Sequence, residues 1–270
     1  MMRKPAVAGQ FYPADKKSLR MVLEDCFMGS FGPGRISSPG EERSMVAALS
    51  PHAGLMASGM GAAHVYDAVL RSGLPEAYII IGPKHRHRGA EVSLCNETFI
   101  TPLGNCPVHE EMVSDLNESF SIDNSAHRLE HSLEMQVLFI QYIDPNPYII
   151  PVLMGDQSED SAIFLAERIR HMISGRDVMI IASGDMSHYV SKTQASSDDG
   201  ALIEKILNLD VPGLYDTVYS RDISACGYGP TATAMMASSP TEAKLLKYMD
   251  SGDVFDSPEV VGYASVGFYR

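Results

Sequence analysis

The chain has 270 residues, 45% of them hydrophobic and 20% charged, with a formal net charge of −13. That composition belongs to a globular fold long enough to bury a core without disulfide or metal staples. The acidic field argues against general binding to DNA, RNA or anionic lipid.

Residues 5–13, Pro-Ala-Val-Ala-Gly-Gln-Phe-Tyr-Pro, read as an irregular segment with aromatic anchors. Asp15 is placed to cap a helix over 16–27. The Gly-, Pro- and Ser-rich stretch 29–43 reads as an exposed loop. A first apolar strand, 45–49, runs into Ser50-Pro51-His52-Ala53-Gly54, and a small-residue helix follows over 61–70. A second strand, 78–81, ends in Gly82-Pro83-Lys84-His85. The short runs 92–95 and 97–101 read as a local antiparallel pair, followed by helices over 107–118 and 133–142. The third strand, 148–153, ends in Met154-Gly155-Asp156, and a helix is expected over 160–173. The fourth strand, 178–182, ends in Ser183-Gly184-Asp185-Met186-Ser187-His188. Helices over 199–207, 212–220 and 231–237 and strands over 243–249 and 260–269 complete the chain. Continuous apolar strands alternating with helices predict one α/β domain over 1–270, with a central mixed or parallel sheet flanked by helices on both faces.

The apolar runs 78–81 and 178–182 are far too short to span a bilayer. Residues 1–13 lack the apolar centre of a signal peptide. Cys26, Cys95, Cys106 and Cys226 match no zinc-ribbon or CxxC spacing, so reduced thiols and a cytoplasmic location are expected.

Three apolar strands end in His52, in His85 and in the pair Asp185 and His188. Ligands of open α/β sheets bind outside the carboxyl ends of the strands, so these exits are candidates for one pocket. Cys226 precedes a helix whose start is marked by Pro230, where its thiolate would be stabilised. Read alone, it is first a small filler in a Gly-rich turn. His131 and Glu134 are three apart and share a face of a helix start. They serve a substrate, a second layer around a metal, or the helix cap. His87 competes with His85, and the run Lys84-His85-Arg86-His87-Arg88 reads as a solvated loop or a contact for an anion.

In order along the chain stand Pro5-Ala6-Val7-Ala8-Gly9-x-Phe11-Tyr12-Pro13, Pro51-His52-Ala53-Gly54, Gly82-Pro83-x-His85, Glu130-His131-Ser132-Leu133-Glu134, Ser183-Gly184-Asp185-x-Ser187-His188-Tyr189 and Cys226-Gly227-x-x-Pro230. Together they resemble the Memo family, the mediator of ErbB2-driven cell motility and its bacterial and archaeal relatives. The resemblance implies a fold like that of class III extradiol dioxygenases, which hold Fe(II) with two histidines and a carboxylate. Carried over by motif, it implies His52, His85 and Cys226 as metal ligands, with Asp185 and His188 on the pocket wall as an acid/base pair. Cys226 then stands where the dioxygenases carry a carboxylate. Fe(II) ranks first, with copper or zinc as alternatives. The implied activity is a metal-dependent oxidoreductase acting on a small molecule. Two other readings are a non-catalytic pocket for a phosphorylated peptide or other anion, and a metal-sequestering protein. A radical-SAM protein and an AMMECR-type protein are the partners that the prokaryotic resemblance implies.

Overall fold

A computed structural model describes residues 2–86 and 89–270. In chain order the elements are β1 (Met2–Arg3), α1 (Lys16–Met28), β2 (Met45–Ser50), α2 (Leu55–Ser72), β3 (Ala77–Pro83), β4 (Val92–Leu94), β5 (Thr98–Thr101), β6 (Gly104–Cys106), α3 (Glu110–Asn117), β7 (Ser121–Ile122), α4 (Asn124–His127), α5 (Ser132–Ile143), β8 (Ile149–Met154), α6 (Glu159–Met172), β9 (Val178–Ser183), β10 (His188–Ser191), α7 (Lys192–Leu207), α8 (Val211–Ser220), α9 (Tyr228–Ser238), β11 (Glu242–Asp250) and β12 (Glu259–Tyr269).

The main sheet runs β10-β12-β2-β9-β3-β8-β4-β7, with β11 added to β12. Its centre is four parallel strands in the order β2-β9-β3-β8. Every residue of β3, β8 and β9 is buried, which is why these strands carry unbroken apolar runs rather than alternation. The outer strands β12 and β4 join antiparallel, so the sheet is mixed. Helices α2 and α5 pack on the sheet with α1 behind them, and α9 packs on it with α6 and α8. Helix α9 is built from Ala, Thr, Gly and Met and is buried on nearly all sides, as a helix between a sheet and other helices must be.

Two local readings are corrected. The runs at 92–95 and 97–101 do not pair with each other. Strand β4 extends the main sheet beside β8 and β7, burying Leu94, while β5 finds its partners in β6 and β1 in a separate three-stranded sheet. Helix α2 begins at Leu55 rather than at 61, through Gly59 and Gly61. A Cβ at Gly59 would lie 2.5 Å from Cys26 Sγ, so this glycine admits α1 against α2 at a helix position it would otherwise weaken. Asp15 caps α1 as expected, accepting from Ser18 N–H at 2.9 Å. Among the described residues no helix is long and apolar enough to cross a membrane, and all four cysteines are free thiols.

Candidate metal centre

Parallel strands all release their chains at the same edge of a sheet. Strands β2, β9 and β3 are immediate neighbours, so His52, Asp185 and His85 emerge side by side. The backbone at Gly184 donates to Ser50 O at 3.0 Å and ties the first two exits together. Cys226 is brought in from the loop before α9. There Gly227 lies against Gly184 so closely that a Cβ on Gly227 would sit 2.4 Å from Gly184 Cα. Backbone bonds complete the join: Cys226 N–H donates to Asp185 O at 3.2 Å, and Asp185 N–H to Cys226 Sγ at 3.3 Å.

The side chains converge. His52 Nε2 lies 3.4 Å from Cys226 Sγ. The ring of His52 meets those of His85 and His131 edge-on at 5.2 and 5.5 Å, and His85 stacks on His131 at 4.7 Å. One ligand atom each from His52, His85 and Cys226 falls within 4.8 Å of the others. His52 is buried, whereas the His85 side chain is 31% exposed, so the cluster is open to solvent on the His85 side.

Glu130 organises that side, a role the sequence reading did not give it. Its carboxylate accepts from His85 N–H at 2.7 Å and His85 Nδ1 at 2.9 Å. It also accepts from the backbone N–H groups of His131 and Ser132, at 2.8 and 2.9 Å, where α5 begins. Burial alone would raise the Glu130 carboxyl, but the bonds from His85 and Ser132 and the nearby imidazoles hold it well below the usual range. An ionised carboxylate can only accept, so His85 donates from Nδ1, and the neutral ring presents a bare Nε2.

Burial pushes the His52 imidazole well below its ordinary pKa, and His85 and His131 push it further. Burial likewise lowers His131, to about 4. Burial raises Asp185 to about 6 against the N–H bond from His52, whose nitrogen donates to Asp185 Oδ1 at 2.8 Å. Burial, with Asp185 adding to it, lifts the Cys226 thiol well above its ordinary value.

The remaining expected site residues fall in different places. Glu134 is completely buried. Its carboxylate is taken up by Arg3 at 2.6 Å, by the N–H groups of Ala6 and Val7, and by the Tyr12 hydroxyl. It therefore ties down the N-terminal segment and has no oxygen left for a substrate. That segment carries Phe11, whose ring meets His131 edge-on at 5.0 Å and walls the cluster. His188 is oriented by Ser224 rather than by Asp185: its Nδ1 lies 2.8 Å from Ser224 O. A carbonyl only accepts, so His188 donates there, and in the neutral ring Nε2 is an acceptor with no partner among the described residues. His87 lies outside the described residues.

The donor set fits a metal ion. Bonds of about 2.1 Å to imidazole and about 2.3 Å to thiolate place N and S about 3.6 Å apart in a tetrahedral site, and His52 Nε2 and Cys226 Sγ are 3.4 Å apart. The high thiol pKa describes the cluster without a cation, since a bound metal deprotonates a coordinating thiol. His85, Glu130 and His131 also cluster tightly, but Glu130 is already spent on backbone and imidazole donors.

Residues 3–267 match the sequence model of a family described as "Memo-like protein". A MEMO1 family protein of Methanobrevibacter smithii is 42% identical, the alignment covering 98% of this chain and 99% of the relative. One of Methanosarcina barkeri is also 42% identical over 98% and 99%, and one of Archaeoglobus fulgidus is 39% identical over 99% of each. Among solved structures, an uncharacterized protein from Escherichia coli K12, JW3007, shares the fold with a TM-score of 0.55 at 14% identity, covering 83% of this chain and 99% of that one.

Proposed function

This chain belongs to the Memo-like protein family, and from that premise we propose that it is a metal-dependent oxidoreductase acting on a small molecule, with an ion held by His52, His85 and Cys226. The observation that carries this reading is the convergence of two imidazole nitrogens and one thiol within 4.8 Å at the carboxyl edge of three adjacent strands. Two histidines and one thiolate leave a coordination position open. Such a set accepts iron, copper or zinc. We rank iron first, and when bound it would supply redox chemistry at the open position.

The chain's own residues have separable tasks in this reading. Glu130 holds His85 in its tautomer. His131 and Phe11 form the wall beside the open side. His188, with Nε2 unpaired among the described residues, accepts a proton from a bound molecule. Asp185 holds the backbone of His52 and supports the Cys226 loop. A class III extradiol-like fold agrees with the strand-exit site, but a thiol in place of a carboxylate separates this donor set from a dioxygenase's.

The test is elemental analysis of protein purified without oxygen. Near-stoichiometric iron that disappears in His52→Ala and in Cys226→Ala is the expected result. Metal-free protein that stays metal-free on titration with Fe(II), Cu(I) and Zn(II) overturns it. A second reading, non-catalytic binding of a phosphorylated peptide or other anion, draws on Arg86, which lies near enough to help depress the His131 imidazole. Saturable binding of a phosphotyrosine peptide by the metal-free protein would favour it.

A further inference from the structure

Ser183 and Gln136 are completely buried behind His52 and touch no solvent. The polar atoms around them admit only one arrangement of hydrogens. The Gln136 amide lies 2.9 Å from Pro51 O and 3.3 Å from Ser50 O. Both are carbonyls and can only accept, so the atom facing them is the NH2 group. Its oxygen then faces the Tyr66 hydroxyl, which donates to it at 2.7 Å. Tyr66 is itself fully buried, and the Ser50 hydroxyl beside it can donate to the Tyr66 oxygen, leaving the Tyr66 proton for Gln136.

The same NH2 group donates to Ser183 Oγ at 2.8 Å. Ser183 Oγ also lies 2.7 Å from Ser132 O and 2.9 Å from His52 Nδ1. The hydroxyl has one proton and two lone pairs. Two oxygens at 2.7 Å repel unless a proton lies between them, so that proton goes to Ser132 O. Gln136 occupies one lone pair, and only an N–H can occupy the other. His52 must therefore donate from Nδ1, which leaves Nε2 bare on the side of Cys226.

We propose that Ser183, with its hydroxyl oriented by Gln136, is a positioning residue that fixes His52 in the Nδ1-protonated tautomer before any ligand arrives. The backbone carbonyls of Ser50, Pro51 and Ser132 set the direction of this relay. A ligand to His52 Nε2 then meets a lone pair rather than a proton. The consequence for metal affinity rests on the metal-site reading, whereas the tautomer itself does not. Without the Ser183 hydroxyl, Nδ1 loses the acceptor that holds its proton, and the groups left around the gap are a donor, the Gln136 NH2, and an acceptor, the Ser132 carbonyl. The ring is then no longer held in one tautomer, and part of the population carries its proton on Nε2, toward Cys226 Sγ.

The experiment is long-range 1H–15N correlation of the histidine rings in metal-free, 15N-labelled full-length protein at neutral pH, with His52 assigned by its absence in His52→Asn. The wild-type protein is expected to show His52 protonated on Nδ1. Ser183→Ala is expected to lose the exclusive Nδ1 protonation, with a population protonated on Nε2 and near-native circular dichroism. A wild-type ring protonated on Nε2 overturns the proposal, and that result needs no variant to fold. An unchanged tautomer in folded Ser183→Ala also overturns it. Titration with Co(II) separates the two readings. A roughly 10–100-fold weaker affinity in Ser183→Ala is the consequence expected where the wild type binds metal. A wild-type tautomer as assigned, lost in Ser183→Ala, with no Co(II) binding by either protein, overturns the metal reading and leaves the tautomer assignment standing.

Discussion

His85 depends on Glu130 for its direction. One carboxylate takes both the backbone N–H and the Nδ1–H of His85, so ring and backbone are fixed by a single anchor. Glu130→Gln keeps the shape but removes the charge, and half of the side chain becomes a donor facing donors. We expect metal affinity to fall by about 10–100-fold with the fold intact, measured by competition with a chromophoric chelator. An unchanged affinity would show that His85 is not a ligand through Nε2. Gly227 is constrained for a different reason. Because its Cβ would strike Gly184 Cα, Gly227→Ala must push the Cys226 loop off the end of β9. The expected outcome is loss of metal with the helices retained, read by elemental analysis beside circular dichroism. These two roles differ in how far the sequence announces them. Glu130 stands just ahead of α5, where a carboxylate commonly accepts the first helical N–H groups. The spacing of His131 and Glu134 drew attention to the wrong carboxylate, because Glu134 faces back into the protein once α5 is packed. The contact between Gly184 and Gly227, 43 residues apart in number, has no local signature in the sequence.

The N-terminal segment and α5 form a unit with Glu134 at its centre. Arg3 and Glu134 are both buried, and the Arg3 guanidinium also donates to the carbonyls of His127 and Glu130. The unit therefore latches residues 3–12 across the start of the helix that carries His131. Removing one partner of a buried ion pair leaves the other charge uncompensated and costs about 3–5 kcal/mol. Glu134→Ala should lower the urea midpoint accordingly and make residues 5–13 the first cleaved in limited proteolysis. Cleavage beginning elsewhere, with the midpoint unchanged, would remove the latch from the account. The elements of this unit were partly legible. Alternation of strand and helix located β2, β3, β8, β9 and, of the helices between them, α2, α3, α5 and α6 but not the four-residue α4, because buried parallel strands are apolar throughout. Strand β1 has two residues and β7 has two, too few for any periodicity, and both exist only through partners distant in sequence. Strand β10 was missed because it carries a register shift at Tyr189, whose backbone φ of 55° breaks the regular strand pattern.

The fold as a unit also sets how the protein answers acid. The order β2-β9-β3 is what gathers the candidate site, and that order follows from long-range pairing that no single segment specifies. The same close packing isolates His127, far from solvent between Arg3 and β4. Its Nε2 lies 3.2 Å from Ser93 O, and its Nδ1 is buried without a hydrogen-bond partner among the described residues. Burial pushes this imidazole down to about 4, with the Arg3 charge adding to the effect. In the unfolded chain it titrates near its ordinary value of about 6.5. Between those values the unfolded state binds a proton that the folded state refuses, so stability falls as pH falls from about 7 to about 4. Above that window both states are neutral, and below it both are charged, so the contribution is flat on either side. One such group removes roughly 3 kcal/mol across the window. Other buried groups titrate there too, so the quantity to measure is the difference between wild type and His127→Gln, which keeps a donor for Ser93 O and cannot titrate. Urea midpoints taken from pH 7 to pH 4.5 should fall more steeply for the wild type than for the variant. Parallel curves would mean that the imidazole takes up its proton over the same pH range in the folded protein as in the unfolded chain, and that the packing between Arg3 and β4 is open to water.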